Sequence, residues 1–190
     1  MPQRARRADA AKNSRLLVAA AKELFDEHGP DVPLDDVARR AGLGNATLYR
    51  HFPTRGDLIV AVYADEVAAL HDAGAALLDD PDPAGALFTW LDAFVVHVAS
   101  KRALALAGTE NDDERRTELF GRWHDSMRST ALRLLARAQE AGAIEGDLSV
   151  DDVLALTSAA AVAGNGTDRA RRLVGVLRHG FAGPSRGGRS

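Results

Sequence analysis

Apolar residues recur along this chain at three- and four-residue intervals, from Leu16, Leu17, Ala20, Leu24 and Phe25 near one end to Val174, Leu177 and Phe181 near the other. That spacing puts them on single faces of helices, and no alternating strand pattern competes with it, so the chain reads as all-α. The first helix is predicted over 13–28, with Gly29 and Pro30 ending it. A second runs from Leu34 to Gly42, with Asp35 and Asp36 in its positive first turn, and a third covers 45–51. Thr54 and Asp57 make a capping-box-like start to a fourth helix, in which Leu58, Val62, Val67 and Leu70 lead on toward Leu78. The clearest interior break is 79–83, after which Asp82 caps a fifth helix with Pro83 in its first turn. A short sixth helix is expected over 102–107 and a long seventh from Asn111 to Gly142. Ser149 and Asp152 cap an eighth over 151–163, and Thr167 opens a ninth that reaches Phe181. The expectation is about nine helices. Residues 1–11 and 182–190, without a sustained apolar stripe, are expected to be a flexible basic arm and a disordered tail.

The densest chemistry lies at 41–58. Gly42 is able to take the positive φ that ends one helix and lets the next begin within a few residues, as in a helix-turn-helix. The next helix carries Asn45, Ala46, Thr47, Tyr49, Arg50 and His51, while Leu48 and Phe52, four apart, mark its buried side. Asn45 is suited to an adenine, Arg50 to a guanine, and Ala46 is small enough to admit a thymine methyl. The alternatives are a core aromatic for Tyr49, a structural hydrogen bond for His51 and a solvated charge for Arg50.

With its flanks, Arg15-Leu-Leu-Val-Ala-Ala-Ala-Lys-Glu-Leu-Phe-Asp-Glu-His-Gly29 and Leu34-Asp-Asp-Val-Ala-Arg-Arg-Ala-Gly42, this stretch closely resembles the DNA-binding domain of TetR-family transcriptional regulators over about 12–62. Gly44 stands where that family usually has Ser or Thr, Gly56 where Glu is common and Arg55 where Lys is commoner. The resemblance implies a helix-turn-helix domain at 12–58 and a helical effector-binding and dimerisation domain at 59–181. It further implies that Thr47, Tyr49, His51 and Arg55 clamp phosphates of a double-stranded operator. The protein is then expected to be a repressor, released from a pseudo-palindromic operator by a small molecule.

Reading two half-sites needs a homodimer. The eighth and ninth helices supply Val153, Leu154, Leu156, Leu173, Val174, Val176, Leu177 and Phe181, with the small run 159–164 permitting close approach; the alternative is that they complete the monomer core. Trp90, Phe94, His97, Trp123, His124 and Met127 are the candidate effector contacts, with Thr157 and Asn165 as possible additions. Such stripes also serve as core, and His97 is the sharpest polar member.

Charge sharpens the division of labour. The net charge of −3 hides a split: residues 1–60 hold ten Lys and Arg against eight Asp and Glu, whereas the remainder holds 14 against 19. An acidic remainder suits a protein that meets DNA at one end. Arg4, Arg6 and Arg7 are placed either in an adjacent minor groove, as an arm ordered on binding, or in a solubilising tail. The absence of cysteine removes disulfides and thiolate metal sites, and no apolar run approaches the ~20 residues of a membrane span. A cytoplasmic protein without cofactor, metal or membrane partner is expected. Six scattered histidines, no His-Glu-x-x-His pair and no Gly-x-Ser-x-Gly elbow argue against an enzyme. A helical module that keeps the regulator fold but binds a protein is the other rival.

Overall fold

The computed structural model describes residues 2–29, 31–107 and 113–181. Among these the chain is all-α, with eight helices: α1 (Pro2–His28), α2 (Leu34–Arg40), α3 (Asn45–His51), α4 (Arg55–Leu77), α5 (Pro83–Ala107), α6 (Asp113–Glu140), α7 (Val150–Gly164) and α8 (Thr167–Phe181). The all-α expectation holds, with one helix fewer than anticipated. The predicted short helix at 102–107 is the continuation of α5, since no glycine, proline or cap separates Lys101 from Arg102. The helices foreseen as eighth and ninth are therefore α7 and α8. Pro30, Asn111 and the tail at 182–190 lie outside the described residues.

The chain forms two compact units, Met1–Glu66 with Ser100–Asn111, and Val67–Ala99 with Asp112–Ser190. In the first, Leu17, Ala21 and Leu24 of α1 close on Val37 and Ala38 of α2, Leu48 of α3 and Leu58 and Val62 of α4. Leu16, assigned to that face by spacing, is instead 40% exposed. A second correction concerns the arm: residues 2–11 are helical and continuous with α1. Alanine and arginine are strong helix formers, and extending an existing helix avoids the cost of nucleation.

In the second unit the packing is tight where glycines replace larger residues. A Cβ on Gly74 of α4 would collide with the methyl of Thr130 on α6 and the indole nitrogen of Trp90 on α5. A Cβ on Gly164 would fall within 2.7 Å of the Ala170 backbone nitrogen, so this glycine lets α7 and α8 meet. Asn165, left-handed at φ 46°, and Gly166, at φ 143°, turn that corner. Asp82 caps α5 by accepting from the Gly85 amide at 2.9 Å, and Ser149 with Asp152 forms a full capping box on α7. Between α6 and α7, Arg128 donates to both carboxylate oxygens of Asp151, at 2.8 and 2.9 Å, and holds that carboxyl below its usual range.

Candidate nucleic-acid interface

The turn between α2 and α3 follows from one glycine. At φ 68°, Gly42 lets its own amide reach the Arg39 carbonyl (3.1 Å) and the Leu43 amide reach that of Ala38 (2.9 Å), the paired bonds of a Schellman motif. Gly44 then starts α3 from extended backbone (φ −79°, ψ 151°), its carbonyl accepting from Thr47 and Leu48 at 2.8 and 3.2 Å. The glycine in place of Ser or Thr leaves α3 beginning at Asn45, as expected, without a side-chain cap.

Only one α3 side chain, Leu48, is completely buried, and Phe52 just beyond the helix is 7% exposed. These two residues seat the helix. Asn45, Ala46, Tyr49 and Arg50 are exposed, and Thr47 and His51 half-buried. At 100° per residue the four exposed positions fill one continuous arc of about 140°, bordered by half-buried Thr47 and His51 beyond Arg50 and by buried Leu48 beyond Asn45. Tyr49, at 48% exposure, is no core aromatic. The helix therefore turns Asn45, Tyr49 and Arg50 outward, with Thr47 and His51 partly buried at the edge.

The exit from α3 is equally defined. The Thr54 amide and hydroxyl donate to one Asp57 carboxylate oxygen (3.0 and 2.7 Å), and the Asp57 amide returns a bond to the Thr54 hydroxyl (3.1 Å). Arg55, the first residue of α4, donates through Nη1 to the Val32 carbonyl at 2.8 Å and is half-buried. It thus ties the start of α4 to the connection between α1 and α2, a structural role its sequence position did not disclose.

On α2 and the middle of α1, cations are matched internally. Arg40 of α2 binds Glu23 and Glu27 of α1 at 3.1 and 3.0 Å, and its hydrogen bond draws the Glu27 pKa down. Deeper in, Lys22 lies 3.9 Å from Glu66, and burial followed by the Glu66 charge pushes the Tyr63 phenol up to about 12.

The candidate effector contacts separate. Trp90 is fully buried, donates its indole N–H to the Leu70 carbonyl at 3.0 Å and stacks on Phe94 with ring centroids 5.3 Å apart. His97 and Met127 are buried, Trp123 is half-buried, and His124 is exposed. Of the two additions, Thr157 turns its hydroxyl back to the Val153 carbonyl at 2.8 Å, while Asn165 is an exposed helix cap. Sequence reasoning missed Gly74 and Arg137. Gly74 carried a signal, since a glycine inside a helix weakens it unless close packing requires one. Arg137 carried none: it donates to the Leu77 and Asp80 carbonyls, a contact only the folded chain reveals.

On the α7–α8 pair, Val153, Leu154 and Val174 are buried in their own unit, whereas Leu156, Val162 and Val176 are 41, 57 and 67% exposed. The apolar residues of the pair thus divide into a buried set and an exposed set.

Comparison with known proteins covers both ends of the chain. A family model described as bacterial regulatory proteins, tetR family, matches residues 17–62, and one described as the C-terminal domain of SbtR-like transcriptional regulators matches 82–182. A TetR transcriptional regulator from Streptomyces coelicolor has a crystal structure similar to this one, with a TM-score of 0.74 and 32% identity, covering 89% of this chain and 98% of that one. For a TetR transcription regulatory protein from Mycobacterium vanbaalenii the TM-score is 0.73 and the identity 35%, over 93% of this chain and 98% of that one. HTH-type transcriptional regulators of Staphylococcus aureus are 40% identical over 53 residues, so the match spans 27% of this chain and 29% of these curated relatives.

Proposed function

The chain belongs to the TetR family of DNA-binding transcriptional regulators, and from that premise we propose that it is a cytoplasmic homodimeric repressor released from a pseudo-palindromic operator by a small molecule. The observation that carries the reading is the outward arc of α3, where DNA-competent side chains face away from a helix seated by Leu48 and Phe52. Asn45, Ala46 and Arg50 read base edges, while Thr47, Tyr49 and His51 fix the helix on phosphates. Arg55 adds its charge at the start of α4 while braced on Val32.

Dimerisation through α7 and α8 is supported by the exposed Leu156, Val162 and Val176, apolar surface that a two-fold partner would cover. Two recognition helices then meet two half-sites. For the effector, the stacked Trp90 and Phe94, with buried His97 and Met127, favour an apolar or aromatic molecule carrying one polar group. Trp123 and His124, less buried, contribute at the margin of that site. The ligand relieves repression only by binding the DNA-free state more tightly than the bound one.

The test is selection of bound sites from random duplex DNA by the full chain, followed by affinity measurements on the selected operator. Tyr49→Ala should weaken binding across all operator variants, whereas Asn45→Ala and Arg50→Ala should chiefly relax sequence preference. Uniform and equal losses in all three would refute the division between phosphate and base contacts. A selection that enriches no sequence would refute the function. Light scattering that finds a monomer at micromolar concentration would remove the dimer.

A further inference from the structure

The N-terminal turns of α1 carry charge that the core of their unit does not use. Arg4, Arg6, Arg7, Lys12 and Arg15 face a single acid, Asp9, within residues 2–15. Arg4 and every residue from Arg6 to Lys12 are exposed, and full burial on α1 begins only at Leu17. At 1.5 Å per residue, this segment continues past the three-helix core as a rod roughly 20 Å long.

In water such a rod is poorly placed. The positive end of a helix dipole disfavours cations, and the first turn of α1 holds no acid to offset them. An anionic partner reverses both terms, because it screens the arginines and complements the dipole. Within a DNA-binding unit the complementary polyanion is the duplex backbone.

Geometry limits where that contact lies. A helix with its side chains is about 10 Å across, whereas the minor groove of B-DNA is about 6 Å wide, so a helical segment does not enter as an extended arm would. Arg4, Arg7 and Arg15 fall within an arc of about 80° and span roughly 16 Å, a length over which duplex DNA carries roughly ten phosphates.

We infer that the basic N-terminal rod of α1 is a sequence-independent contact for DNA phosphates flanking the operator half-site, made on the backbone outside the minor groove. The inference rests on the DNA-binding function proposed above. The charges add affinity and register without reading bases, so they act on operator and unrelated DNA alike.

The experiment compares the full chain with the triple variant Arg4→Gln, Arg7→Gln, Arg15→Gln, since glutamine keeps helix propensity while removing charge. Binding is measured against a labelled random-sequence 40-bp duplex and the selected operator as salt is raised. Loss of up to three phosphate contacts should reduce the salt slope by about two to three on both duplexes, so the parent weakens about 40-fold more than the variant between 50 and 200 mM salt. Equal slopes, with the parent still selecting an operator, overturn this inference alone; a parent that binds neither duplex overturns the DNA-binding function as well. Saturating the duplex with a minor-groove ligand such as netropsin should leave the parent-to-variant difference intact, and its disappearance would place the arginines in the groove and refute the backbone assignment.

Discussion

Helices α3 and α5 use large side chains in opposite ways. On α3 the Tyr49 ring is nearly half exposed and one leucine, Leu48, is completely buried. On α5 the Trp90 ring is fully buried and its one polar atom is already bonded to the Leu70 carbonyl. The contrast shows that the same class of residue is exposed on one helix and packed into the core on the other. Substitutions at exposed α3 positions should therefore alter operator binding at constant stability, and those at buried α5 positions should chiefly lower stability.

The largest effect is expected at Trp90. Trp90→Ala should cost about 3–5 kcal/mol of unfolding free energy, because it opens a cavity beside Phe94 and removes the donor to Leu70. Urea denaturation would measure it, and a loss below about 1 kcal/mol would abolish the contrast. Leu48→Ala is the one α3 change that should behave like an α5 change, costing about 2–5 kcal/mol and weakening operator binding through loss of the seat.

The chain's other tyrosine, Tyr63, is 2% exposed and sharpens the comparison by pH. Its folded pKa of about 12 lies above the usual 10, so its neutral form is favoured by folding. The stability is complete below pH 10 and falls as pH rises toward 12, by up to roughly 2–3 kcal/mol. Chemical denaturation across that range should show the decline in the parent and a shallower one in Tyr63→Phe. The smallest stability change belongs to Tyr49→Ala, within about 0.5 kcal/mol, although it should lower operator affinity. A stability loss above about 2 kcal/mol would make Tyr49 a core residue after all.

Much of the DNA-binding unit was legible because its signals are local. The Gly42 turn, the Asn45 start of α3 and the Thr54–Asp57 cap each depend on residues within a few positions of one another. The candidate effector contacts were less legible, since a stripe of aromatic residues has the same spacing whether it lines a cavity or fills a core. Burial separated His97 from His124, which sequence reasoning had grouped. Likewise, no pattern distinguishes Leu156 from Leu154 on α7, although one is exposed and the other buried.

By itself, then, the sequence determined the all-α class, the helix-turn-helix and its outward residues, and the caps that bound most helices. These depend on backbone conformation and on contacts between near neighbours. Only the tertiary structure decided that residues 2–11 continue α1, that Arg55 braces the α1–α2 connection through Val32, that Gly74 makes room for Trp90 and Thr130, and which apolar side chains of α7 and α8 remain uncovered. Each of the last three is a relation between residues far apart in the chain. The first turns on whether a segment without a core stripe keeps the helix it adjoins, a balance of propensity and charge that periodicity does not report.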